Sequence, residues 1–298
     1  MKTTLLSYMA CLAGLLLLMQ CSPRPVHNTS PAPVAGVLLG VQERTAFRQP
    51  PFQHWFDSFY QAYTVQTAAI ASLKKVWQNE QVDIFLGTWC GDSRREVPRM
   101  LKVLDSLGVP ASNIRLICTK SGQPGHKTSP GREEQGLYIF RVPTFIIRRH
   151  HLELGRIVEF PVATLEKDLL DIVSGAPYES NYRAGNYIRR LFDVKSPELI
   201  NDSLPVVAAA LKPLARNEGE LSSFGSVLLS AGDYSRAITV FRLNTLLFAE
   251  KADSWHWLAE GYRRNHDRDK AIVAYERTLA LQPGLTLARQ RLDSLKAL

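Results

Sequence analysis

A short apolar run, followed directly by a turn and an amphipathic segment, is the feature that most constrains this fold. Residues 82–88 are rich in apolar and β-forming side chains, and residues 89–93 form the turn. Between residues 97 and 107, apolar side chains recur at helical spacing. The pattern predicts a buried strand, a turn and a helix, with Cys90 in the first turn of that helix.

The residues that follow predict the rest of a mixed sheet. Residues 113–118 have the pattern of a second strand, and residues 144–148 and 154–160 have that of a β-hairpin. A helical pattern over 163–173 closes the unit. Because strand and helix patterns alternate, the sequence favours an α/β domain with a central mixed sheet flanked by helices.

Two segments outside the strands complete this domain. Residues 52–63 and 67–77, in the N-terminal region 42–79, have helical patterns and are expected to cap the sheet. Residues 119–135 are polar and rich in Gly and Pro, which predicts a surface loop leading into a short helix.

Eight residues carry a resemblance to a known family. They are Trp89, Cys90, Gly91, Ser93, Pro98, Val142, Pro143 and Thr144. In this order they resemble the thioredoxin superfamily, over residues 80–176. The resemblance implies a cis peptide bond before Pro143, and an edge at Val142 and Thr144 that contacts the backbone of an extended substrate. It also implies that Trp89 and Pro143 present this substrate to Cys90.

The surroundings of Cys90 favour the thiolate, which is the form that attacks a disulfide. Free N–H groups and the dipole at a helix N-terminus stabilise negative charge. Arg94 and Arg95 add positive charge in the same turn, whereas Asp92 opposes them. The sequence therefore predicts a catalytic thiol at Cys90, in an environment formed by Gly91, Asp92, Arg94 and Arg95.

The second cysteine of the family's dithiol site is absent, since Ser93 stands three residues after Cys90. A hydroxyl does not resolve a mixed disulfide, although it can donate a hydrogen bond to the thiolate. Ile84 occupies the position of the family's buried carboxylate, which assists the missing cysteine. These departures predict monothiol exchange in place of efficient dithiol reduction.

Four cysteines occur in the chain, at positions 11, 21, 90 and 118. Cys118 is a candidate resolving thiol, because its predicted strand ends at the same sheet edge as Cys90. Its alternative role is that of a small buried core residue. We find no His or Cys pattern at metal-ligand spacing, so the sequence predicts neither a metal site nor a cofactor.

The N-terminal residues have the pattern of an export signal. Lys2 precedes an apolar stretch that reaches Met19, which predicts a signal peptide over residues 1–20. A segment rich in Pro and Ser follows and is predicted to be a tether over 21–41. Residues 18–21 resemble a bacterial lipoprotein signal, which implies that Cys21 is lipidated and anchors the protein to a membrane of the cell envelope, facing the periplasm or exterior. Ordinary secretion and an uncleaved anchor are the alternatives.

The C-terminal third contains an internal repeat. Six positions, in which small side chains stand next to large ones, recur after 34 residues: Leu221, Phe224, Gly225, Leu228, Ala237 and Phe241 match Trp255, Leu258, Ala259, Tyr262, Ala271 and Tyr275. They resemble two tetratricopeptide repeats, over 218–251 and 252–285, with a capping helix that extends the module to 298. Bridging helices are predicted over 177–217. The resemblance implies a module that binds protein or peptide, with packing against the α/β domain as the alternative.

The charge pattern argues against a nucleic-acid partner. The net charge of +8 is spread along 298 residues, and basic residues do not alternate with aromatic ones. Together these features predict an envelope protein that carries out thiol–disulfide exchange through Cys90 and recruits a protein partner through its repeats. A non-catalytic adaptor, in which both parts only bind protein, is the alternative.

Overall fold

The computed structural model of the protein describes residues 36–122 and 125–297. The predicted signal peptide, the lipidation of Cys21 and most of the predicted tether lie outside the described residues. Among the residues described, no helix is long and apolar enough to cross a lipid bilayer.

A five-stranded mixed sheet forms the centre of the N-terminal part of the described chain. The strands are β1 (Gly40–Gln42), β2 (Gln81–Leu86), β3 (Ile114–Cys118), β4 (Thr144–Arg149) and β5 (Leu152–Val158). Their order is β1-β3-β2-β4-β5, in which β2 and β3 run parallel and the other neighbours run antiparallel. The four strands predicted from the sequence are confirmed, with bounds within two residues.

Strand β1 was not predicted. It pairs antiparallel with β3, with Gly40 opposite Cys118 and Gln42 opposite Leu116. The buried Leu38 donates its amide hydrogen to Thr88 Oγ1 at 3.2 Å. The prediction of a tether over 21–41 is therefore wrong at its C-terminal end, because the chain joins the folded domain before residue 41.

Four helices flank the sheet, at positions that match the predicted helical patterns. They are α1 (Gln53–Ala62), α2 (Thr67–Val76), α3 (Gly91–Leu107) and α4 (Leu165–Ser174). Side chains of the central strands alternate between the two faces of the sheet. Ile84 and Leu86 lie in the core that includes α3, whereas Phe85 belongs to a smaller apolar cluster on the other face.

The rest of the described chain is helical. The helices are α5 (Arg183–Val194), α6 (Pro197–Asn201), α7 (Leu204–Leu211), α8 (Glu218–Ala231), α9 (Tyr234–Leu247), α10 (Ala252–Arg264), α11 (Arg268–Leu281) and α12 (Thr286–Lys296). The pair α10 and α11 repeats the pair α8 and α9 at an interval of 34 residues, as the sequence pattern predicts. The protein therefore consists of an α/β domain followed by a helical module.

Phe241 packs where the two helix pairs meet. Its ring lies so close to Gly225 of α8 that a Cβ at residue 225 would approach it to less than 3.0 Å. On another side, a Cβ added at Gly261 of α10 would lie 3.1 Å from the ring. Glycine at both positions lets α8 and α10 approach this ring closely.

The segment 119–135 differs from its prediction. Its described residues contain no helix. Instead, Lys120 and Thr128 are joined by a backbone hydrogen bond of 3.0 Å, and Lys127 donates to the Lys120 carbonyl at 2.9 Å. Glu134 accepts hydrogen bonds from the amide and hydroxyl of Ser129. The predicted short helix is therefore wrong, and the segment is a folded loop held by these bonds.

Candidate active site around Cys90

Cys90 lies at the junction of β2 and α3. It is the N-cap residue of α3 and is half-buried. Its thiol donates a hydrogen bond to the carbonyl oxygen of Val142, with Sγ 3.1 Å from that oxygen. Because the first N–H groups of a helix lack partners within the helix, this position favours a negative charge on sulfur.

The loop that carries Val142 is held rigidly. The Val142–Pro143 peptide bond is cis, as the resemblance implies. Thr144 Oγ1 donates to the Arg141 carbonyl at 2.7 Å, and the amide of Glu159 donates to the Pro143 carbonyl at 2.7 Å. The Val142 carbonyl, expected to be free for a substrate, instead accepts from the Cys90 thiol, and contact of Val142 and Thr144 with a substrate backbone stays a prediction.

Trp89 forms one wall beside Cys90. Its indole ring lies against Gly87, where an added Cβ would stand 2.5 Å from Cε2 of the ring. Its Nε1 donates to the Thr119 carbonyl at 2.8 Å. The ring centroid lies 5.5 Å from that of His126, which comes from the folded loop. The indole is therefore fixed in place and is half-buried beside the thiol.

Ser93 is fully buried one turn into α3. Its Oγ accepts a hydrogen bond from the Gly87 amide at 3.1 Å. This bond ties the end of β2 to the start of α3. A hydrogen bond from Ser93 to a Cys90 thiolate stays a prediction.

The charged residues of the first turn are mostly engaged with one another. Arg95 forms ion pairs with Asp92 at 2.7 Å and with the buried Glu96 at 2.6 Å. Arg94 donates from Nε to the Thr88 carbonyl at 2.7 Å. Gly91 is exposed, and a Cβ there would meet nothing within 4 Å. The positive charge of Arg95 is thus offset by two carboxylates.

Lys127 is a site residue that was not predicted. It comes from the folded loop, its side chain is buried, and Nζ donates to Ser223 Oγ of α8 at 3.3 Å. Burial, with the nearby charge of Arg141, lowers the pKa of Lys127 to about 8, while Cys90 and Glu159 act in the opposite direction. A lysine in a polar loop looks like a solvent-exposed residue in the sequence, so no local signal marked it.

Two further charged groups, Glu159 and Arg141, interact electrostatically with Lys127. The carboxylate of Glu159, which is buried, stands 3.9 Å from the Arg141 guanidinium. Burial raises the pKa of Glu159 above its usual range, although Arg141 opposes this. Arg141 also donates to the Gly219 carbonyl of α8 at 3.2 Å. The site is therefore bounded by the helical module as well as by the sheet.

Residues 137–142 join the two parts of the protein. Tyr138 and Phe140 pack into the core of the helical module, and Phe140 lies 5.0 Å from Phe224 of α8 between ring centroids. Ile139 and Val142 face the sheet and belong to the apolar cluster that contacts Cys90. The alternating side chains of this segment therefore connect the thiol site to α8 directly.

Cys118 lies apart from this apolar cluster. Its side chain is fully buried in the core on the α3 side of the sheet, and its thiol is free. Burial raises the pKa of the Cys118 thiol well above its ordinary value. This placement favours its alternative role as a core residue, because a buried neutral thiol is a poor nucleophile.

The described residues contain no group of three or more His, Cys, Asp or Glu side chains arranged to hold a metal ion.

The chain matches no protein-family model and no curated protein. Among solved structures, it is similar to the 1.5 Å crystal structure of a protein of unknown function from Pseudomonas aeruginosa, at 19% sequence identity and a TM-score of 0.35. The similarity covers 46% of this chain and 94% of that one.

Proposed function

We propose that the protein is a thioredoxin-like monothiol that carries out thiol–disulfide exchange through Cys90. The observation that carries the proposal is the half-buried Cys90 at the N-terminus of α3, in hydrogen-bond contact with the loop that contains the cis Pro143. A helix N-terminus favours the thiolate, and the fixed Trp89 ring offers an apolar surface to a substrate segment.

The exchange consists of two steps. The Cys90 thiolate attacks one sulfur of a substrate disulfide, so that a Cys90–substrate disulfide forms and the other substrate sulfur leaves as a thiolate. A second substrate thiolate then attacks the substrate sulfur of this bond, forms a new substrate disulfide and releases the Cys90 thiolate. No net oxidant or reductant is consumed, so the reaction is an isomerisation.

The helical module is, in this proposal, a pair of tetratricopeptide repeats that recruits the protein substrate. The 34-residue interval between helix pairs supports it. A groove of about 340 Å³ on α10 and α11 also supports it, since Trp255, Tyr262 and the exposed Val273 line it. Lipidation of Cys21 and an envelope location complete the proposal, and they rest on the sequence alone.

The exchange is tested with a protein whose disulfides have been scrambled. The full chain is incubated with scrambled ribonuclease and a trace of low-molecular-weight thiol, and the recovery of ribonuclease activity is followed. The wild type and Cys118→Ala accelerate recovery, and Cys90→Ser does not. A wild type that performs no better than Cys90→Ser overturns the exchange function and leaves the adaptor alternative.

Conversion of Ser93 to cysteine gives a second test. Residues 90 and 93 lie in the same turn of α3, so Ser93→Cys is expected to form an intramolecular disulfide with Cys90. Mixed disulfides with substrate then accumulate less, because the introduced thiol resolves them. Ser106→Cys, near the far end of α3, serves as the matched control and leaves trapping unchanged. Equal trapping in both variants contradicts the proposed geometry of attack.

Recruitment and anchoring are tested separately. Val273→Glu places a charge in the groove and lowers the yield of trapped protein substrate without changing the alkylation of Cys90, whereas Val206→Glu, on the exposed face of α7, changes neither. Equal yields in the two variants argue against the groove.

The intact mass of membrane-extracted protein shows whether Cys21 carries acyl chains, and Cys21→Ser provides the control.

A further inference from the structure

Lys127 is a buried cation whose side-chain amine donates a hydrogen bond to a neutral hydroxyl. The residue is 8% exposed, and Nζ lies 3.3 Å from Ser223 Oγ. Within residues 36–122 and 125–297, no Asp or Glu oxygen forms an ion pair with this Nζ at 4.0 Å or less. A buried ammonium group is costly unless an opposite charge stands near it.

Two groups of opposite sign interact electrostatically with Lys127, and they are Cys90 and Glu159. Glu159 is already paired with Arg141 at 3.9 Å, and its burial favours the neutral carboxyl. Cys90 is the other group, and its sulfur lies at the Val142 carbonyl, two residues along the chain from the Phe140 carbonyl that accepts from Ser223. Attraction between opposite charges in a partly buried site is several times stronger than in water.

The position of Lys127 depends on the helical module. The Ser223 hydroxyl donates its hydrogen to the Phe140 carbonyl at 2.8 Å, so the lone pairs of Oγ are left to accept from Lys127. Phe140 is anchored in the core of the helical module. Ser223 thus holds the Lys127 amine in place, and Ser223 is itself held by its bond to Phe140 in the segment 137–142.

We propose that Lys127 is the counter-ion of the Cys90 thiolate and that Ser223, a positioning residue in α8, holds it in place. This inference rests on the proposed exchange function and adds to it a role for the helical module in setting thiol reactivity. A partner that displaces α8 would change the rate at which Cys90 attacks.

Other charged and titratable groups surround this pair, and each contributes to a pH profile. Arg141, Glu159 and His126 interact electrostatically with Lys127, and Asp92 and Arg95 interact with Glu159. A cavity of about 270 Å³ beside Lys127 is also lined by charged side chains, namely Arg132, Glu134, Asp233 and Arg236. Burial and the Lys127 charge lower the pKa of His126 to about 4, so that this imidazole is neutral at pH 7. The titration of Cys90 is therefore compared between variants that differ only at one residue.

The test measures the alkylation rate of Cys90 in the full chain as a function of pH. Trypsin places Cys90 and Cys118 on different peptides, spanning 76–94 and 116–120, so mass spectrometry follows Cys90 alone. Lys127→Met is expected to slow alkylation about tenfold at pH 7, the effect of moving the midpoint of the profile up by one unit. Ser223→Ala is expected to slow it about threefold, and Lys127→Arg to stay within about threefold of the wild type.

Two matched controls separate this role from a general structural one. Lys120→Met removes a lysine from the same loop, and Ser226→Ala removes a serine of α8 whose hydroxyl bonds within its own helix. Both are expected to keep the wild-type profile. If Lys127→Met fails to fold, Ser223→Ala alone decides, because it leaves the lysine in place. If Lys127→Met and Ser223→Ala, or the one of them that folds, show the same midpoint of the alkylation profile as the wild type, the inference is overturned.

The scrambled-ribonuclease assay makes the two proposals distinguishable. A midpoint that moves in Lys127→Met, in a protein with no isomerase activity, supports the inference and overturns the exchange function. Isomerase activity in the wild type, together with an unchanged midpoint in Lys127→Met, supports the exchange function and overturns the inference.

Discussion

Cys90 Sγ lies 3.1 Å from the carbonyl oxygen of Val142, so that the thiol donates to the residue before the cis Pro143. This bond exists only while the sulfur is protonated, because a thiolate has no hydrogen to donate. Ionisation of Cys90 therefore releases the Val142 carbonyl, which can then accept a backbone N–H from a substrate. Under the proposed exchange function, formation of the nucleophile and exposure of a group able to bind substrate are coupled through these two residues.

Replacement of Cys90 separates the hydrogen bond from the chemistry. Cys90→Ser keeps a donor to Val142 and is expected to unfold at the same urea concentration as the wild type. Cys90→Ala leaves the carbonyl without this donor and is expected to lose about 0.5–1 kcal/mol of unfolding free energy, since a thiol is a weak donor. Equal stability of the alanine and serine variants would show that the bond contributes nothing.

The strands and helices around this site were largely predictable, because hydrophobic periodicity reports local structure. The runs 82–88 and 144–148 lie within two residues of β2 and β4. The resemblance to the thioredoxin superfamily also implied that the loop at Pro143 lies near Cys90. In contrast, β1 has three residues and exists through its pairing with β3, a partner that lies far away in the sequence.

Lys127 shows why the rest of the site was not predictable. Its neighbours in sequence are polar and predict a solvated loop, which is correct for most lysines. Its burial comes from Ser223 and the other residues of α8, which are nearly 100 positions away. Neither periodicity nor a motif reports a contact between a loop and a later module.

The packing of Trp89 on Gly87 predicts a change in the wall of the site. Gly87→Ala places a methyl group 2.5 Å from the indole and is expected to break the bond from Trp89 Nε1 to Thr119. Solvent exchange of the Trp89 indole hydrogen, followed by NMR, should accelerate about tenfold or more, as expected when a bond of about 1.5 kcal/mol is lost. Gly91→Ala, where the added Cβ meets nothing within 4 Å, should leave exchange unchanged. Similar exchange in both variants would contradict the contact.

Burial of Lys127 predicts a pH-dependent gain in stability when its charge is removed. Its pKa falls from 10.5 in the unfolded chain to about 8 in the folded protein. The folded state therefore holds this proton less tightly than the unfolded state. The resulting penalty is complete below pH 8 and fades as the pH rises towards 10.5.

Lys127→Met is thus expected to raise the free energy of unfolding by about 2 kcal/mol at pH 7, after about 1 kcal/mol is subtracted for the lost bond to Ser223. The gain should shrink at about pH 10, where the wild-type lysine is neutral in the folded state. Urea unfolding at both values measures it, with Lys120→Met as the control. A gain that is equal at the two pH values would argue against a buried lysine.

The contact between Gly225 and Phe241 predicts the response of the helical module to a single methyl group. Alanine has a higher helix propensity than glycine by about 1 kcal/mol, so Gly225→Ala would stabilise an isolated α8. In the protein, however, its Cβ would lie closer than 3.0 Å to the Phe241 ring, and overpacking of this kind costs about 1–3 kcal/mol. Because Gly261 packs on another side of the ring, Phe241 has little room to move.

Gly225→Ala is therefore expected to lower the free energy of unfolding of the full chain, as measured by urea denaturation. Gly284→Ala is the matched control, since residue 284 is exposed and its added Cβ meets nothing within 4 Å. The control should change stability by less than about 0.5 kcal/mol. If Gly225→Ala proves more stable than the wild type, helix propensity outweighs the ring contact, and the close approach of α8 to Phe241 is not a constraint on the module.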